Sequence, residues 1–315
     1  MFRVALILAL VAGCGNGAST LTASPAALTD ERAAHLDALF AADAAHAADV
    51  AQLGPVDGVI RAMRGNVVYL AAGVDVITGR REVKAAVEAA NPDPANTSLS
   101  LTTAGGDVSA DGNFGFTFGW LERAAAEGVT YGTYLAIWER EREDDFRITA
   151  YYTRSAPFPH IPPRAGFPLF LGGAGAGGVP HPGSVEGQRR SLSAADEAFS
   201  AQSVAEGTGI AFPAWANPDF MMAFGRNFVG LVGEAEIAGA YGVSVPGEVL
   251  QWAPVWASAS GSGDLGVTVG KAIDTLTLAD GSVTRTCSKY LTLWVRRADG
   301  SWRFIADGGS PSPAP

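Results

Sequence analysis

Ser260-Gly-Ser-Gly-Asp-Leu-Gly-Val-Thr-Val-Gly270 carries, with its glycines and threonine in register, the pattern of Ser109-Ala-Asp-Gly-Asn-Phe-Gly-Phe-Thr-Phe-Gly119. Further matches flank this pair. Tyr134-Leu-Ala-Ile-Trp138 is answered by Tyr290-Leu-Thr-Leu-Trp294 and Phe146-Arg147 by Trp302-Arg303; upstream, Gly79-Arg-Arg-Glu-Val83 is answered by Gly233-Glu-Ala-Glu-Ile237. The blocks occur in the same order in both halves, which is the signature of a duplicated unit. The offset drifts from block to block, as hairpins of unequal length produce.

Within each copy the hydrophobic period changes along the chain. Leu36, Leu39, Phe40 and Ala47 recur at helical spacing after Thr29 and Asp30, and Ser193-Ala-Ala-Asp196 reads as a capping box ahead of Phe199. Downstream the period becomes two: Phe114, Phe116, Phe118 and Trp120 share one face, and Leu291, Leu293 and Val295 alternate with Tyr290, Thr292 and Trp294. Asp111-Gly112, Asp280-Gly281 and Asp299-Gly300 supply the turns, because Asp-Gly tolerates the backbone angles that tight hairpins require. Helix first and sheet after, twice over, predicts an α+β protein of two tandem domains, each a curved antiparallel sheet wrapped around N-terminal helices. Prolines and glycines crowd Pro157 to Gly187 and exclude a helix or a central strand there. The expected organisation is a first domain over 29–155, a linker over 156–190 with Phe167, Leu169, Phe170 and Leu171 apolar enough to pack on a domain, and a second domain over 191–313.

The N-terminus sets location. Arg3, the apolar run Val4 to Leu10 and Val11-Ala-Gly-Cys14 form a lipoprotein export signal, too short to span a bilayer. Cleavage leaves Cys14 as the lipidated first residue (1–14 signal and lipidated cysteine), with residues 15–28 as a flexible tether. The expected place is the bacterial cell envelope, facing the periplasm, and Gly15 after the cysteine favours the outer membrane over the inner. The net charge is -10, and no basic cluster offsets it, which argues against nucleic acid as a partner. With Cys14 lipidated, Cys287 is left without an intrachain disulfide partner.

Phe199 with Gly207, Trp252-Ala-Pro254, Ser262-Gly-Asp-Leu-Gly266, Lys289-Tyr-Leu-Thr-Leu-Trp294, Asp299-Gly-Ser-Trp302 and Asp307-Gly-Gly together resemble a SnoaL-like domain of the nuclear transport factor 2-like superfamily, in a bacterial subfamily of unknown function. Residues 191–313 carry the resemblance well and residues 29–155 more loosely. It implies a cone with a pocket at its open end, in a superfamily that spans ketosteroid isomerase, polyketide cyclases, dehydratases and binding or scaffold proteins; fold alone does not select among them.

Isomerase-like members place a carboxylate base in the strand after the second helix. Here Met221-Met-Ala-Phe224 and its counterpart Val67-Val-Tyr-Leu-Ala71 are apolar, so no catalytic residue carries over. Asp219 matches a turn aspartate. Lys289, on the face of Cys287, Leu291 and Leu293, and Asp307, assigned to the face of Ile305, are the candidate polar groups of the second cone. If they meet, they are either a handle for an anionic or carbonyl ligand or a structural ion pair. Trp252, Trp256 and Tyr290 are candidate aromatic walls, with core packing as the competing role. Lys271 reads as a snorkelling strand end. Trp120, Thr133 and Tyr151 stand at the places of Lys271, Lys289 and Asp307, so pocket chemistry is expected in the second half.

His35 and His46 fall about 16 Å apart along a helix, too far to share a metal, and His160 and His181 lack ligand spacing. No metal or cofactor is expected, and Cys287 reads as an inert thiol. Three functions follow: an envelope lipoprotein that binds a small apolar or aromatic molecule or a protein partner; an isomerase, cyclase or dehydratase acting through Lys289, Asp307 or a tyrosine; and a structural pseudo-dimer whose sheets cover each other.

Overall fold

The computed structural model describes residues 30–140, 145–156, 167–170, 175–224 and 228–313. The signal and tether, with Cys14, lie outside the described residues, as do His160 and Leu171.

In the first half a long helix α1 (Asp30–Arg61) precedes β1 (Met63–Leu70), the short β2 (Ile77–Thr78) and α2 (Arg80–Ala90). Four long strands follow: β3 (Ser98–Val108), β4 (Phe114–Ala125), β5 (Gly128–Arg140) and β6 (Phe146–Ala156). In the second half α3 (Val185–Glu206) and α4 (Thr208–Trp215) precede β7 (Phe220–Phe224), β8 (Phe228–Val232) and α5 (Gly233–Tyr241). The remaining strands are β9 (Glu248–Ala259), β10 (Leu265–Thr277), β11 (Val283–Arg296) and β12 (Trp302–Pro311).

The two six-stranded sheets have one strand order: β2-β1-β6-β5-β4-β3 and β8-β7-β12-β11-β10-β9. The expected α+β class and tandem duplication hold at the level of topology. The sheets are mixed, not antiparallel as the sequence predicts: β1 runs parallel to β6 and β7 parallel to β12. A parallel pair needs a long crossover, and here the intervening helix and hairpins supply it, which alternation within a strand cannot reveal.

The helices repeat as well. Asp43, His46 and Gly54 stand to Asp196, Phe199 and Gly207 at one constant offset. Gly54 (φ 82°) and Gly207 (φ 88°) each break the helical run with a backbone angle that side-chain-bearing residues avoid. The cap of α3 is Ser184, whose hydroxyl accepts from the Gly187 amide. Ser193-Ala-Ala-Asp196 is therefore mid-helix and not a capping box, and residues 185–190 of the expected linker are helical. The helix layer touches β9, β10 and β12, so the sheet wraps around it. Gly112, Gly281 and Gly300 adopt the positive φ values expected of the Asp-Gly turns.

Each sheet buries both faces. One face of the first half packs Tyr134, Trp138 and Tyr151 against α1, and one face of the second packs Trp294 and Phe304 against α3. The opposite faces share one core: Phe116, Phe118 and Ile137 join Val267, Leu293 and Ile305, with Phe167, Leu169 and Phe170 from the connecting segment. The duplicated turns also exchange hydrogen bonds reciprocally. Ala110 N donates to Asp264 Oδ2 (2.9 Å) and Ser262 N donates to Asp111 Oδ2 (2.9 Å).

Candidate functional site

Periodicity along α3 turns Leu192, Asp196, Phe199 and Ser203 to the sheet and buries them. Asp196 accepts from Tyr290 Oη (2.6 Å) and Trp252 Nε1 (2.8 Å), while Trp294 Nε1 donates to Thr268 Oγ1 (2.9 Å). The first half repeats the arrangement. Asp43 accepts from Tyr134 (2.9 Å), Thr117 (2.7 Å) and Thr103 (2.5 Å), and Trp138 donates to Thr117 (2.8 Å). Burial pushes the Asp196 carboxyl up, and donation from Tyr290, Trp252 and Thr268 works against it. A buried carboxylate paired with donors of the protein's own sheet in both halves pins helix to sheet.

Asp307 is different. It lies opposite Thr292, whose hydroxyl donates to its Oδ1 at 2.6 Å, on the face of Tyr290 and Trp294. It remains half-buried, and burial drives its pKa up to about 6; donation from Thr292 opposes this and the Asp196 charge adds to it. Around it the walls are aromatic. Trp252 meets Tyr290 edge-on at 6.5 Å and Phe212 stacks on Tyr241 at 5.3 Å; burial raises both phenols, with the Asp307 charge contributing. Farther out on the same face are Asp274 and Glu248, both raised by burial, with Thr208 Oγ1 3.2 Å from Glu248. The nearby strand cations Lys271, Arg285 and Lys289 all alternate to the opposite face.

Lys289 and Asp307 therefore do not meet. Leu293 pairs with Ala306 and Trp294 with Phe304, so Ile305 is an extra residue that turns Asp307 away from the face of Ile305. A single inserted residue inverts side-chain parity, which is why alternation misplaces Asp307. Lys289 points to the shared core side, is fully buried, donates to the Pro311 carbonyl (2.9 Å) and is pushed down to about 8 by burial, with Asp75 opposing and Arg154 adding. Lys271 pairs with Asp75 at 2.5 Å. Trp256 also packs toward the shared core, because the irregularity at Val255 separates it from the face of Trp252. Of the sequence candidates, Asp307, Tyr290 and Trp252 share a face; Lys289 and Trp256 are excluded from it.

Other candidates resolve simply. Asp219 pairs with Arg297 (2.6 Å), and the Asp219 carbonyl, not its carboxylate, takes the Gly233 amide. Among the described residues no cluster of His, Cys, Asp and Glu could hold a metal ion, and no helix is long and apolar enough to cross a membrane. A cleft of about 480 Å³ bounded by Pro213, Pro218, Ile237 and Arg303 opens beside α4 and α5, and Asp307 does not line it.

No family model matches the sequence, and no curated protein matches it. Solved structures do. A nuclear transport factor 2-like protein of unknown function from Shewanella oneidensis shares 15% identity over 38% of this chain and 97% of its own (TM-score 0.32). A ketosteroid isomerase-like protein from Erwinia carotovora shares 13% over 40% and 98% (TM-score 0.34). A nuclear transport factor 2-like protein with a cystatin-like fold from Novosphingobium aromaticivorans shares 15% over 40% and 82% (TM-score 0.33). Each spans a length near that of one half. With scores this low, the fold assignment rests on the strand order and register of the two sheets.

Proposed function

We propose that this chain is an envelope lipoprotein whose second half binds a small molecule with an aromatic or apolar body, presenting a hydroxyl or ammonium donor to Asp307. One observation carries the reading: a half-buried carboxyl among aromatic rings, with the nearby strand cations turned away, is costly unless something uses it. Tyr290, Tyr241 and Trp252 supply the walls. The two halves act as a pseudo-dimer through their sheet faces, and the reciprocal bonds of the duplicated turns are the contact that a two-fold pairing makes.

Mass spectrometry of protein purified under native conditions tests the binding. The wild type retains a small molecule and Asp307→Asn releases it; equal retention by both, or none by either, overturns the reading. Anchoring is tested separately. Cys14→Ser is expected to move the protein from the membrane fraction to the soluble one, and an unmodified Cys14 in a wild type that stays membrane-bound would refute it.

A second reading, proton transfer, is favoured by the Asp307 pKa of about 6, which suits a general base near neutral pH. It requires that the retained molecule exchange a carbon-bound proton with deuterated solvent in the wild type and not in Asp307→Asn.

A further inference from the structure

The duplicated arginine at the start of the last strand of each half is neutralised in one copy and not in the other. Asp145-Phe-Arg147 is answered by Ser301-Trp-Arg303. In the first half Arg147 pairs with Asp145 at 2.9 Å and reaches the Arg61 carbonyl at 3.5 Å. In the second half serine replaces that aspartate, and Arg303 forms no ion pair among the described residues. Its Nη1 donates to the Trp302 carbonyl at 3.1 Å and its guanidinium carbon lies 5.7 Å from the centre of the Trp215 ring. Asp299 does not take it: donation from Ser301 holds that carboxyl below its usual range, with the Arg303 charge a smaller contributor.

Arg303 lines the cleft of about 480 Å³ beside α4 and α5. None of the rings around Asp307 lines it, so this space lies outside the interior of the cone. The offset that matches Gly54 to Gly207 sets Ala214 of the cleft wall against Arg61, a bulky side chain paired with Asp49 at 3.2 Å. Two differences between the halves therefore coincide: the second has a small residue where the first has an arginine, and no counter-ion where the first has one. The Trp302 carbonyl occupies only Nη1 of Arg303, which leaves Nε and Nη2, the edge of a guanidinium that takes a carboxylate through two parallel bonds. Pro213, Ala216, Pro218 and Ile237 give the cleft apolar walls, and exposed Glu234 on α5 brings a carboxylate that does not pair with Arg303. A cation and an anion that line one apolar cleft without meeting are complementary to a ligand carrying both charges.

We propose that this cleft is a second binding site, independent of Asp307, for a free α-amino acid with an apolar side chain. Its carboxylate lies on Arg303, its ammonium faces Glu234, and its side chain packs against Ile237 and the two prolines.

L-Leucine serves as the probe. Leucinamide lacks its carboxylate, and isocaproate, the deaminated analogue, lacks its ammonium. With the full chain, L-leucine is expected to bind with a Kd below about 1 mM and to shift the methyl resonances of Ile237, assigned by their loss in Ile237→Val. Arg303→Gln is expected to weaken binding about tenfold or more, Glu234→Gln about threefold because that side chain is exposed, and Asp307→Asn not at all. Unmoved Ile237 methyls at millimolar leucine overturn the proposal, as does leucinamide or isocaproate bound as tightly as leucine. The methyl measurement is made on the wild type, so it decides the matter even if Arg303→Gln does not fold. Binding that survives Arg303→Gln and is lost in Asp307→Asn places leucine inside the cone, which overturns this site and leaves the Asp307 reading standing.

Discussion

Asp307→Asn is expected to stabilise the protein by about 3 kcal/mol at pH 7 to 8 and by only about 0.5 kcal/mol near pH 4. The carboxyl titrates near 3.8 when unfolded and at about 6 when folded, so the native state binds the extra proton between those values. Stability from this group is therefore lost as pH rises through that window, and the full penalty is present above about 6. Asparagine keeps the acceptor that Thr292 uses and removes the charge. Urea unfolding of both proteins across pH 4 to 8 checks this: the difference in midpoint free energy should grow through pH 5 to 6 and then level. A variant equal to or weaker than the wild type at pH 8 would show that Asp307 is held by a favourable partner, and the binding role proposed for it would lose its basis. A carboxylate retained against such a penalty fits a group kept for function at the expense of stability.

Periodic features were legible in the chain. The duplicated blocks, the change from helical to alternating spacing and the Asp-Gly turns carry the α+β class and the tandem duplication, because each is local or repeats at a fixed order, whereas the parallel pairs β1–β6 and β7–β12 are long-range and leave no such mark. The site was legible only in part, for reasons that can be located. Ile305 and Val255 are single extra residues in otherwise regular strands, and each reverses the face of everything beyond it; nothing in residue type marks them. Asp196 satisfied the pattern of a cap by composition, yet the real cap is Ser184, and Asp196 is a buried acceptor for Tyr290 and Trp252. Alternation identifies two faces of β11 but not which one the helices cover: the Leu291 face meets the other half and the Tyr290 face meets α3. Helical spacing puts His46 on α1, while its packing against Trp138 and Tyr151 is a property of the folded state alone. The constant offset that pairs it with Phe199 was available, and comparing the two halves residue by residue would have singled it out.

Phe118→Ala is expected to destabilise both halves together, by about 3 to 5 kcal/mol, the cost of emptying a buried aromatic site. Phe118 belongs to β4 of the first half and is fully buried, and its ring contacts Phe170 of the connecting segment at 5.7 Å and Phe224 and Phe228 of the second half at 5.6 and 5.0 Å. If the opposed sheet faces form one core, removing that ring withdraws support from β7 and β8 as well as from β4. Scanning calorimetry should then show one main transition in the wild type, displaced downward by roughly 10 °C in the variant, given a few degrees per kcal/mol for a chain of this size. Two wild-type transitions of which the variant moves one would mean that each cone is stable alone and that the shared apolar face contributes little. The distinction bears on function, because a chain that melts as one unit couples the two cones: a molecule that binds either half stabilises both by mass action. Binding at Asp307 should then raise the temperature at which the first half unfolds as well.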